Sequence, residues 1–401
     1  MILPLSDAPN PRGIPWMTYL IIAANVAVYI LITVPLSGAP ADWSDPRLRE
    51  YLDVMQRQFG HRVPLREILQ QVSQYDLFVF EHGFRPASPS FGDLLFSMFL
   101  HAGFLHLFGN MLFLWIYGDN VEHRLGGMRF LVWYLTTGVA ATLFHALFFF
   151  SSEIPLVGAS GAISGVLGFY FRWFPYNQVR LLLMFFPFFM RVVFLPARIV
   201  LGFYLVLDNI LPFLLSFGSD GSGVAFGAHI GGFFAGLAGA WWIDMSEMRP
   251  AGRELAARGR ERGTVADLRA ALDAGRMEEA ARIYFSLDRE QDLRGVDPQD
   301  LLDLAEWLRL HGSPRSALAI YLRLLRQHAE DEAVSASAHL GAGRILLYDL
   351  DEPALAYQHL VEAVRHAPTA SIAAEARRIL RDVLAQQKMQ VGRPLRKQPE
   401  I

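Results

Sequence analysis

The stretch GASGAISG, residues 158–165, decides how this chain is read. It sets a serine among glycines and alanines at the mouth of an apolar segment that continues as VLGFYFRWF. A hydroxyl has little to bond in hydrocarbon, so a polar group within a span faces the bundle interior or a water-filled cavity. The question is what meets Ser160 from the rest of the chain.

Five further segments are apolar over nearly the roughly 20 residues needed to cross a bilayer. They are 16–36, 103–118, 128–150, 199–217 and 224–243, and with 158–174 they make six expected spans. The first is read as an anchor, because no basic stretch or cleavage pattern of a signal peptide accompanies it. The run LLLMFFPFFM, 181–190, is too short to cross and is interrupted by Pro187, so it is expected to lie at the membrane interface. Arginines set the orientation. Arg12, Arg124, Arg129, Arg172, Arg180, Arg191 and Arg198, then Arg249, Arg253, Arg258, Arg260 and Arg262, fall on one side, while 151–157 and 218–223 hold neither Lys nor Arg. Both termini are expected in the cytoplasm. The long first loop is then external, with LREYLDVMQRQF and LREILQQVSQYDLFVF able to lie along the surface.

Composition narrows the chemistry. The 401 residues include no cysteine, which excludes disulfides, thiolate metal ligands and a thiol nucleophile. A net charge of −3 gives no case for nucleic acid. Without an HExxH pattern a zinc protease is not indicated, and no metal or cofactor is expected. The spans show no internal repeat of the kind a transporter would have. Only two lysines occur, Lys388 and Lys397, a bias that points to a bacterial source and hence to the inner membrane.

Beyond residue 250 the pattern becomes soluble and helical. AGRMEEAARIYFSL (274–287), HGSPRSALAIYLRLL (311–325) and LDEPALAYQHLVEAV (350–364) align on Gly275, Gly312 and Asp351, each followed five residues on by Ala280, Ala317 and Ala356. Such spacing is similar to tetratricopeptide-like hairpins, which stack and offer a concave surface to a protein partner, the alternative being a generic helical bundle with no partner. The expected organisation is a membrane domain over 1–245, a cytoplasmic helical domain over 250–390 and a tail over 391–401.

With this topology the second, fourth and sixth spans run from outside to inside. At ~1.5 Å per residue, His106, Asn110, Ser160 and His229 all fall in one shallow layer below the outer surface. Serine plus histidine is the pairing of a nucleophile and its base. Asn110 Nδ2, a ring N–H of His106 and the Ser160 backbone N–H are donors suited to an oxyanion. Gly161 and Gly165 on one helix, with Ala228, Gly232 and Gly236 on the other, are small residues at four-residue spacing, which lets helix backbones approach closely. That approach would bring Ser160 to His229.

The motifs GASG (158–161), HLFGN (106–110), AHIGG (228–232) and EHR (122–124), in this order, resemble those of the rhomboid intramembrane serine proteases. The resemblance covers about 15–245. It implies an all-α bundle of six spans and a Ser160–His229 dyad cleaving single-pass, membrane-anchored substrates, with His106 and Asn110 binding the oxyanion. Glu122 and Arg124 match a structural polar pair of the family. The competing reading is a non-catalytic rhomboid-like adaptor that recruits partners through its helical repeats; an intact serine–histidine pair weighs against it. Several other polar residues are read as structural. Ser164 is expected to bond back to a carbonyl one turn earlier, His101 to lie at the surface, His145 to be structural, and Asp208 to end a helix with Asn209 and Pro212. The loop 218–223, with Gly221 and Gly223, is read as a lid.

Overall fold

A computed structural model describes residues 2–42, 44–59, 72–185, 189–216, 225–247, 263–287, 293 and 295–391. The chain divides into two compact units, Met1–Asp7 with Arg12–Trp241, and Ala8–Pro11 with Trp242–Ile401.

Each of the six apolar stretches is helical over most of its described residues, the last running on past Trp241 into residues of the second unit. We label these helices, with the shorter ones between them, α1 (Trp16–Ser37), α2 (Pro46–Phe59), α3 (Gln74–His82), α4 (Phe91–Phe96), α5 (Phe104–Leu125), α6 (Gly127–Phe148), α7 (Ser160–Trp173), α8 (Ala197–Leu215) and α9 (Phe226–Glu247). Three of them, α1, α6 and α8, are long and apolar enough by themselves to cross a membrane. A fourth candidate is the pair Phe91–Phe99 and Phe104–Leu125, bent by 89° at its break. The fourteen residues of α7 rise only about 21 Å. Nearly all of its side chains are buried, from Gly161 to Tyr170 without interruption. A helix apolar on every side belongs in the middle of a bundle, and α7 packs against α5 and α6.

Two devices hold this bundle. The first N–H groups of α1 have no intrahelical partner, and Pro15 before them offers no side-chain cap. Glu122 of α5 supplies it from across the bundle: its carboxylate accepts from Met17 N at 2.9 Å and from Thr18 N and Oγ1, each at 2.7 Å. An anion at a helix N-terminus also complements the helix dipole. Nearby, the Arg124 guanidinium lies 4.2 Å over the Trp173 ring. The second device sits at the far end of α7 from Ser160. There the buried Asp7 carboxylate accepts from Tyr170 Oη and, at 3.0 Å, from Asn120 Nδ2.

The fold is not purely helical. The run 181–190, expected at the interface, falls over its described residues in two antiparallel strands, β2 (Gln178–Phe185) and β3 (Phe189–Pro196), and β1 (Ile2–Ala8) adds a third strand beside β2. The physical reason lies in the β-branched and aromatic content of QVRLLLMF and FMRVVFLP, which suits a pleated surface. Pro187 lies outside the described residues. Between α1 and α4, helices α2 and α3 pack on one another around Leu48, Val72 and Leu77; of the second amphipathic stretch, 65–80, residues 65–71 lie outside the described residues.

The second unit is helical throughout among the described residues: α10 (Val265–Asp273), α11 (Met277–Ser286), α12 (Pro298–Leu310), α13 (Pro314–Gln327), α14 (Glu332–Arg344), α15 (Pro353–Arg365) and α16 (Ala370–Val391). Gly275, Gly312 and Asp351 fall at the turns of three successive hairpins, with φ of +68°, +75° and +55°. Left-handed backbone of this kind closes a helix C-terminus through a six-to-one bond. Arg276 N to Ala271 O and Ser313 N to Leu308 O, both 2.9 Å, are such bonds. Ala280, Ala317 and Ala356 are wholly buried where the hairpins meet.

Candidate active site

Ser160 opens α7, and the loop before it fixes where that helix begins. Leu156 exchanges backbone hydrogen bonds with Phe84 at 2.8 and 3.1 Å, and Gly158 N–H donates to the Ser97 carbonyl at 2.9 Å. Gly158 has φ +123°, a region that side chains disfavour. It also lies flat against His106: a β-carbon there would stand 2.8 Å from Cε1 and Nε2 of the ring. The glycine at 158 therefore lets the serine loop and the α5 histidine share one space.

The Ser160 hydroxyl oxygen lies 2.8 Å from His229 Nε2. Glycines make that contact possible. A β-carbon at Gly232 would fall on the Gly161 carbonyl oxygen, one at Gly236 on the Gly165 carbonyl oxygen, and one at Gly168 on the Phe233 carbonyl oxygen. Gly161 is in turn pressed by Ala141 of α6, at 2.8 Å from the same imagined atom. So α7 and α9 touch backbone to backbone along three successive turns, and the first of these carries the serine and the histidine.

Asn110 is buried one turn below His106, and its Nδ2 has no hydrogen-bond partner among the described residues. An unsatisfied buried donor costs about 1–3 kcal/mol. Its position beside Gly158, 3.8 Å from where that residue's β-carbon would be, aims it at the loop that leads to Ser160. A donor kept dry and unpaired there is suited to a negative charge that exists only during a reaction.

Other polar residues sit elsewhere than the sequence suggests. His101 is fully buried, not at the surface: its carbonyl accepts from Tyr75 Oη at 2.8 Å, and its ring meets that of His106 edge-on at 5.1 Å. His145, read as structural, stacks on Phe149 at 4.6 Å. Ser164 bonds not to its own helix but to Tyr204 Oη on α8, at 2.8 Å. Asp208 is exposed and stands in a helix that continues past it. Its neighbour Asn209 is buried and places Oδ1 2.7 Å from His229 Nδ1. Residues 208 and 209 belong to a π-turn, Val206–Ile210, whose extra residue changes which side of α8 faces inward. A 3.6-residue period cannot show this, and Asn209 is missed for that reason. The lid loop 218–223 lies outside the described residues.

Comparison with known proteins agrees with these motifs. Residues 89–245 match the family described as Rhomboid domain. The chain is 31% identical over 172 residues to Rhomboid protein 1, mitochondrial, of Saccharomyces cerevisiae, an alignment covering 42% of this chain and 46% of that protein. It is 38% identical over 149 residues to Rhomboid protease GluP of Bacillus subtilis, covering 36% of this chain and 25% of that one. With RHOMBOID-like protein 5 of Arabidopsis thaliana the identity is 27% over 242 residues, covering 57% and 68%. The chain spans about half the length of the first two curated relatives it matches, at 46% and 50%. No solved structure matches it. Together these matches show a region similar to the Rhomboid domain over residues 89–245.

Proposed function

We propose that this chain is an intramembrane serine endopeptidase acting through Ser160 and His229. The observation that carries the reading is the 2.8 Å approach of the Ser160 hydroxyl to His229 Nε2 between two helices in backbone contact. As the hydroxyl oxygen attacks a peptide carbonyl, Nε2 takes its proton and an Oγ–C bond forms. Asn110 Nδ2 and His106 face the oxyanion of the tetrahedral intermediate; removing one such donor typically costs 10²–10³ in rate. His229 then gives the proton to the departing amine, the C–N bond breaks, and the N-terminal fragment remains esterified to Ser160. Water, deprotonated by the same imidazole, releases it as a carboxylate.

The same reading takes α1, α5, α6, α7, α8 and α9 as six spans, with both termini cytoplasmic and the site toward the outer face of a bacterial inner membrane. Its substrates are single-pass membrane proteins. A helical backbone hides its carbonyls, so those with glycine, proline or small residues near the outer end of the span are favoured, since they unwind most readily. Glu122 and Arg124 stabilise the bundle and take no part in chemistry. The helical hairpins of 250–390, tetratricopeptide-like in their turn and alanine spacing, serve as a cytoplasmic docking module for a protein partner.

The test compares membrane fractions from cells bearing the native chain and Ser160→Ala. New N-termini inside or just outside single-pass spans, present with the native chain and absent with the variant, are expected. Identical sets of termini would overturn the reading.

A further inference from the structure

The imidazole of His229 has two faces to account for, and the mechanism uses only Nε2. The other nitrogen, Nδ1, meets Asn209 Oδ1 at 2.7 Å. Which way round that amide stands decides the protonation of the ring. Asn209 Nδ2 is engaged on its own helix, donating to the Tyr204 carbonyl at 2.8 Å across five residues. A carbonyl only accepts, so the NH₂ must be the end that faces it. Oδ1 is then left toward the ring, and since it too only accepts, Nδ1 must be the nitrogen that carries hydrogen. In the neutral ring Nε2 is consequently bare, with its lone pair on the Ser160 hydroxyl.

The π-turn makes this possible. It lets the Asn209 amide reach back five residues to the Tyr204 carbonyl and turns Asn209 inward while Asp208 stays outside. When asparagine replaces aspartate in a serine protease triad, the wrong imidazole tautomer results. Here the Tyr204 carbonyl holds the NH₂ and forbids that outcome. We infer that Asn209 is a positioning residue that locks His229 in the Nδ1-protonated tautomer, making Ser160, His229 and Asn209 one relay across α7, α9 and α8. Asn209 touches no reacting atom; it acts through the imidazole.

This inference rests on Ser160 being the nucleophile, and the test separates the two. In ¹⁵N-histidine-labelled native protein, with His229 assigned by difference from His229→Gln, the ring should show a protonated Nδ1 and a bare Nε2. A protonated Nε2 in the native protein would overturn the inference whether or not the chain is an enzyme. In Asn209→Ala the signals should move toward the other tautomer, and the rate of fluorophosphonate labelling should fall by about 10²-fold or more, the usual worth of a positioned base. Ser164→Ala, which also loses a bond between α7 and α8, should label at the native rate. If Asn209→Ala labels like the native protein with an unchanged tautomer, Asn209 is only a tie between helices. If the native protein does not label at all, the proposed function fails while the tautomer result still stands or falls by itself.

Discussion

Gly165 on α7 presents its carbonyl oxygen where a side chain on Gly236 of α9 would have to begin. No β-carbon fits there without driving the two helices apart. Overpacking of this kind typically costs about 1–3 kcal/mol. Gly236→Ala should therefore lower the melting temperature of the detergent-solubilised protein and slow labelling of Ser160, because separating α7 from α9 lengthens the contact with His229. Gly202→Ala, at a position with nothing within 4 Å of the added atom, should leave both unchanged.

Gly158→Ala probes a different fault. The backbone at φ +123° strains any side chain, and the new methyl group would press on the His106 ring. Such strain is worth about 1–3 kcal/mol. Because His106 and the serine loop move together, activity should suffer more than stability. We expect turnover to fall on the order of 10²-fold, the scale of a misplacement near 1 Å, with a melting temperature lowered only by a few degrees. Equal melting and equal turnover would remove His106 from the site.

Glu122 is tied to three donors at the start of α1. Glu122→Ala leaves buried N–H groups unpaired, at about 1–3 kcal/mol each, and should destabilise strongly. Glu122→Gln, which keeps one acceptor, should fall between. The protein that remains folded should label at Ser160 at the native rate in both variants, as a structural role requires.

The helical unit carries a pH dependence of its own. His339 and His359 meet at 2.9 Å between their Nδ1 atoms on α14 and α15, and burial holds His339 down to about 4 from its ordinary 6.5. The unfolded chain thus takes up the proton first as pH falls. Stability from this site is complete above about 6.5 and declines as pH drops from there toward 4. Hydrogen exchange in peptides of 332–365, corrected for intrinsic rate, should show protection decreasing between pH 7 and pH 5. His339→Gln should flatten that dependence.

Much of this molecule is legible in its sequence because the signals are local or periodic. Hydropathy marks the six helices, and four-residue glycine spacing marks the seam where α7 meets α9. Gly275, Gly312 and Asp351 announce three left-handed turns. What stays hidden is of another kind. In β2 and β3 only Gln178, Arg180 and Arg191 interrupt the apolar residues, so the strand alternation is faint. Asp7 reaches Asn120 and Tyr170 across 113 and 163 residues of chain, beyond any local pattern. Asn209 is concealed by a single π-turn that shifts the register of α8.

The central claim is that the Ser160 oxygen is made nucleophilic by His229. Its most direct measurement is covalent labelling of the purified full-length protein with a fluorophosphonate, comparing the native chain with Ser160→Ala, Ser164→Ala and His229→Ala. One adduct is expected, on the peptide containing Ser160, retained in Ser164→Ala and lost in the other two. Equal labelling of all four proteins would contradict it.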